Sequence, residues 1–95
     1  MQYVVRVDIP PHVEPENGDP QAMQDLIGKW QALNPSAFLF SITQRQVTII
    51  VDVPNEDAMF EALHATWVLG KVYPTVTPVV DVSEFGSLLG RIGIG

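Results

Sequence analysis

The chain has no cysteine, which removes a disulfide frame, a thiol nucleophile and any zinc-finger-type site together. That absence fits a reducing compartment, and a cytoplasmic location is expected. Positive charge is scarce: five Lys and Arg against eleven Asp and Glu leave a net charge of -6 and a pI near 4.5. Such a field repels phosphate backbones and argues against nucleic acid as a partner. Charge of both signs is low, at 17% of residues, against about 25% in an average soluble domain. No apolar run approaches the roughly 18 residues of a membrane span, so no membrane partner is expected. The opening MQYVVRVDIPP, with Arg6 and Asp8 inside it, does not read as a signal peptide. What remains is an apolar chain: 46% of its 95 residues are hydrophobic, enough for one folded domain and too few for two.

Residues 2–9 alternate, with Tyr3, Val5, Val7 and Ile9 on one face of a strand. Pro10 and Pro11 end it, and PPHVEPENG is a polar connection. Asp19 before Pro20 marks a helix start. From there Ala22, Met23, Leu26, Ile27, Trp30 and Leu33 fall on one arc, until Asn34-Pro35 closes the helix. Strands are expected at 37–43 and 47–53, joined as an antiparallel hairpin by Gln44-Arg45-Gln46. Asn55 then caps a second helix, with Glu56 and Asp57 at the positive end of its dipole. Its expected apolar arc holds Met59, Phe60, Ala62, Leu63, Thr66, Trp67 and Leu69. A last strand, 75–82, contains Pro78 and so belongs at an edge or carries a bulge.

The order β-α-β-β-α-β predicts an α+β, ferredoxin-like fold: a four-stranded antiparallel sheet with two helices on one face. Residues 1–83 form that domain, and residues 84–95 form an apolar, glycine-rich arm. Its Phe85, Leu88, Leu89 and Ile92 are spaced for one side of a short helical turn, which Gly86 and Gly90 weaken. The sheet's second face is the unusual one. It carries Val4, Arg6 and Asp8; Leu39, Ser41 and Thr43; Thr48, Ile50 and Asp52; Thr77, Val79 and Asp81, with no lysine. A solvated sheet face is normally richer in charge. This pattern predicts a second copy packed across it.

The short length, the strand starting beside Met1, the run VDVPNEDAMFEAL (51–63) and Tyr73-Pro74 leading into TVTPVVDV carry a resemblance. In these features the chain resembles the dimeric α/β-barrel superfamily, and within it the muconolactone isomerase-like group. The resemblance implies a homodimer or ring of dimers, with a small-molecule pocket in each subunit.

Two histidines, His12 and His64, are the side chains that titrate nearest neutrality. His64 reads either as a general acid or base beside an aromatic pocket, or as a boundary histidine half-covered by neighbours. His12 lies among Glu14 and Glu16, a grouping that matches no metal spacing; no metal or cofactor is expected. Tyr3, Trp30, Phe40 and Trp67 are candidate pocket-lining aromatics, or simply core. Arg6 is either a clamp for a substrate carboxylate or one half of an interface ion pair. The glycines of GRIGIG do not follow a strand and open no helix, which excludes a phosphate loop. The leading expectation is an isomerase-like proton-transfer enzyme acting on an organic acid or lactone. The alternatives are a non-catalytic ligand-binding or interaction module, and a cofactor-independent monooxygenase-like protein.

Overall fold

A computed structural model describes residues 1–9 and 20–93. Seven elements follow one another: β1 (Gln2–Asp8), α1 (Pro20–Gln31), β2 (Ala37–Phe40), β3 (Gln46–Asp52), α2 (Glu56–Gly70), β4 (Thr75–Val79) and α3 (Val82–Arg91). The four strands form one antiparallel sheet in the order β2-β3-β1-β4. The fold is ferredoxin-like α+β, with a third helix added.

Period-two alternation sets the sheet's register. Val5 pairs with Ile49 and with Val76, and Tyr3 with Val51 and with Pro78, so the apolar parities of three strands coincide. On that face Val5, Val7, Val47, Ile49, Val51 and Val53 are buried against Trp30 of α1 and Met59 and Ala62 of α2. Both helices therefore cover one face. Burial of each such Val or Ile side chain contributes about 1.5–3 kcal/mol before ordering costs. Pro78 lacks a ladder donor and lies on β4, an edge strand, where that lack is tolerated.

The two packed helices differ in how they meet. On α1, Met23, Leu26 and Ile27 are partly covered while Gln24, Asp25 and Gln31 face outward. The buried stripe of α2 is Met59, Ala62, Thr66 and Gly70, mostly small residues that let α1 approach. A Cβ on Gly70 would sit 3.3 Å from Leu26 Cδ2. Asn55 caps α2 as expected, its Oδ1 accepting from the Ala58 N–H at 2.9 Å. The left-handed C-cap falls on Lys71 (φ 58°), not on Gly70.

The strand alternation, continued to residues 43 and 82, turns Ile42, Val80 and Val82 inward, and the expected apolar arc of α2 includes Phe60, Trp67 and Leu69. All six assignments are corrected, Phe60 and Leu69 being 63% and 37% exposed. Ile42 is fully exposed, because β2 stops at Phe40. There the Ser41 hydroxyl oxygen accepts from the Thr43 and Gln44 N–H groups, turning the chain out of the ladder. Val80 and Val82 face solvent at 40% and 93% exposure, since β4 ends at Val79 and the chain enters α3. Trp67, 55% exposed, lies about 100° around α2 from Thr66, off the small-residue stripe.

Residues 84–91 of the arm lie in the three-turn helix α3, which starts earlier, at Val82, with Asp81 extended at its N-cap, Glu84 in the first turn and Arg91 in the last. Both charges complement the helix dipole. None of its residues is buried, and no Cα of α3 comes within 8 Å of another described element. Among the described residues, no helix is long and apolar enough to cross a membrane.

Candidate functional site

Three cavities stand out. The first lies under α1 and has a volume of about 60 Å³ between Val7, Ile49, Trp30, Phe38 and Thr66, with Phe40 at its side. It is far smaller than the roughly 300–1,000 Å³ of a typical ligand pocket. Its one polar pair is internally satisfied: Trp30 Nε1–H donates to Thr66 Oγ1 at 2.9 Å, and Thr66 Oγ1–H donates to the Ala62 carbonyl at 2.8 Å. This is a packing gap in the core. Trp30 thus serves as core, 2% exposed. Phe40 stacks on Phe38 with centroids 5.5 Å apart and stays 56% exposed. A second, shallow space of about 190 Å³ lies between Met23, Phe40 and the hairpin loop at Ser41 and Gln44.

The third is large enough for a ligand, at about 370 Å³. It opens where β1 begins and β3 runs into α2. Tyr3 and Val53 form one wall, and Met59, Phe60 and Leu63 of α2 form the other. Three structural facts place these side chains. Tyr3 belongs to the inner parity of β1, Val53 ends the inner parity of β3, and the Asn55 cap fixes where α2 starts. Glu56 supplies the one side-chain charge of the lining. The groove is apolar and aromatic, with a polar end at Asn55 and Glu56.

His64 stands one turn beyond Phe60, exposed to solvent along one side, its ring stacked on that of Phe60 with centroids 6.0 Å apart and planes 20° apart. It neighbours the groove and is not part of its lining. Farther along, Trp67 packs at 6.4 Å against Tyr73, and it lines none of the three cavities. Phe60, His64 and Trp67 form an outward aromatic stripe on α2. Of the four aromatics expected to line one pocket, Tyr3 faces the groove, Trp30 and Phe40 border the core gap, and Trp67 is apart. His12, with Glu14 and Glu16, lies outside the described residues. Among the described residues no three His, Cys, Asp or Glu side chains gather as a metal site.

Arg6 sits mid-sheet on the outer face, opposite Thr48 on β3 and Thr75 on β4. Of the three acids expected on that face, Asp81 lies beyond β4 at the N-cap of α3, and the other two are engaged elsewhere. Asp8 accepts from Gln46 Nε2 at 3.0 Å, and Asp52 pairs with the Met1 ammonium at 3.1 Å. Arg6 forms no ion pair with a described residue, so the acid partner expected for it is not supplied by the described part of the chain.

Sequence reasoning missed the groove itself. The i, i+4, i+7 recurrence of Phe60, His64 and Trp67, out of phase with the Met59–Ala62–Thr66 stripe, signalled the outward aromatic stripe, of which Phe60 alone lines the groove. Large aromatic residues on a helix face that packs against nothing mark a surface rather than a core. Compared with known proteins, the chain matches no family model and no curated sequence.

Proposed function

We propose that the chain is a homo-oligomeric small-molecule-binding protein of the dimeric α/β-barrel kind, taking an uncharged ring-shaped organic ligand, such as a lactone, in the groove between Tyr3 and Phe60. The groove carries this reading: about 370 Å³, with aromatic and aliphatic walls and one polar end. That is the usual composition of a small-molecule site. Charge bears on the two ligand classes expected from the sequence. Glu56 is the only side-chain charge in the lining, and the Met1 ammonium at the groove is already paired with Asp52. With the chain at -6 overall, this favours a neutral ring over an organic acid. The outer sheet face supports the assembly, because Val4, Leu39, Ile50 and Val79 lie among few charges and Arg6 has no acid partner among the described residues.

The test is titration with a small unsaturated lactone, followed by amide chemical shifts in the native protein and in Phe60→Ala. Saturable shifts should cluster at Tyr3, Asn55, Glu56 and Phe60, and Phe60→Ala should weaken binding about three- to tenfold. Absence of saturable shifts up to about 10 mM, beyond any useful affinity, overturns the site.

One observation favours a second reading. His64 stacks on Phe60, a wall of the groove, and in this reading it acts as a proton-transfer group on a ligand held against that ring. In that case the enzyme exchanges a lactone proton next to the carbonyl with deuterated water. His64→Gln should slow that exchange about 100-fold. Unchanged exchange removes the catalytic reading and leaves the binding one.

A further inference from the structure

Helix α3 has an apolar face that no described residue of the protomer covers. Val82, Phe85 and Ile92 are 93%, 56% and 69% exposed, and Leu88 and Leu89 are only half-buried. Open space surrounds Gly86 and Gly90, where an added Cβ would meet no atom within 4 Å. The apolar positions are not scattered. Val82, Phe85, Leu89 and Ile92 follow the three-four-three spacing of a coiled-coil seam, and Leu88 widens it on one side.

The charges identify the occupant. Glu84 and Arg91 are the only charged residues of α3, and they lie seven positions apart. Two helical turns return them to the same flank of the apolar face, beside Leu88, about 10.5 Å apart along the axis. An antiparallel pair of identical helices brings identical flanks together. A two-fold axis level with Ser87 and Leu88 then sets Glu84 of each copy beside Arg91 of the other. In a parallel pair the same flank would meet the uncharged side carrying Gly86 and Gly90. We infer that α3 is a self-association element whose occupant is α3 of a second copy, packed antiparallel and closed by two reciprocal Glu84–Arg91 ion pairs.

This interface is separate from the outer sheet face. Ten residues span about 15 Å, too short for a helix pair to persist by itself. It forms between sheet-joined dimers, each of which presents two α3 helices, so that closing one pair raises the effective concentration for the second. Two different two-fold contacts close into a tetramer with dihedral symmetry when their axes cross at right angles, which is the proposed arrangement. This step therefore rests on the sheet-mediated dimer proposed above, and the experiment separates the two.

The mass of the full chain in solution is measured by sedimentation across a concentration series, for native protein, Glu84→Arg, Arg91→Glu and their equimolar mixture. The native protein should be a tetramer. Each single variant places like charges at both crossings, should weaken the association of dimers about tenfold, and should sediment as a dimer. In the mixture, the arginine introduced into one variant faces the glutamate introduced into the other. At the second crossing the unchanged Arg91 of the first variant faces the unchanged Glu84 of the second. The mixture should therefore regain the tetramer. Loss of mass in the single variants without recovery on mixing overturns the pairing, because altered helix-dipole charges alone explain that result. A native dimer unaffected by either variant overturns it too, and leaves the sheet contact standing. A native monomer overturns both.

Discussion

Replacing Thr66 with valine tests the core at its one polar point. The substitution keeps the side-chain shape, opens no cavity and changes helix propensity little. It removes the acceptor for Trp30 Nε1–H, now 2.9 Å from Thr66 Oγ1, in a place where Trp30 is 2% and Thr66 0% exposed. The Ala62 carbonyl keeps its helical bond and loses only its second donor. The indole N–H is left buried without a partner, which costs about 1–3 kcal/mol. For a domain of this size each kcal/mol lowers Tm by about 4–8 °C. The assay is urea unfolding followed by far-ultraviolet circular dichroism, at one fixed protomer concentration because association shifts apparent stability. Trp30→Phe and the double variant complete the cycle. Without the indole donor, Thr66→Val should be nearly neutral, so the coupling should be about 1–2 kcal/mol. A loss below about 0.5 kcal/mol for Thr66→Val, or the same loss in the Trp30→Phe background, would refute the bond and its burial.

Asn55→Ala removes the cap that holds the groove end of α2 and should cost about 1 kcal/mol, read as a lower urea midpoint. Lys71→Gly relieves a non-glycine residue at φ 58° and should stabilise by about 0.5–1 kcal/mol in the same assay.

The strand phases were legible because alternation is a strict signal. Val5, Val7, Ile49 and Val51 face the helices, while Val4, Thr48 and Ile50 face away, and the observed pairings agree with both sets. The Asn55 cap and the edge position of the Pro78 strand were legible for the same kind of reason, a backbone group needing a partner or lacking one. Where hydrophobicity stood in for geometry, the sequence misled. Trp67 was expected to line a pocket or fill the core because it was counted in the apolar arc of α2. The inner stripe of α2 instead had to be small, at Ala62, Thr66 and Gly70, for α1 to come close. Ile42 continued the alternation of β2, yet the neighbouring Ser41 hydroxyl captured the next N–H groups and ended the strand before it. The residues of the groove were individually visible. Their meeting was not, because Tyr3 and Phe60 are far apart in sequence and join only when β1 and α2 are packed.

The assembly is tested most directly by the light-scattering mass of native protein, Ile50→Glu and Ile42→Glu at micromolar concentration. Both changes convert isoleucine to glutamate, and they differ in place: Ile50 lies mid-strand on the outer sheet face, whereas Ile42 is fully exposed on the hairpin loop. The native protein and Ile42→Glu should share one mass, a multiple of the 10.5 kDa chain. Ile50→Glu places a charge inside the sheet contact and should fall to the monomer. A native monomer, or an Ile50→Glu protein of native mass, would contradict the assembly on which the proposed function stands.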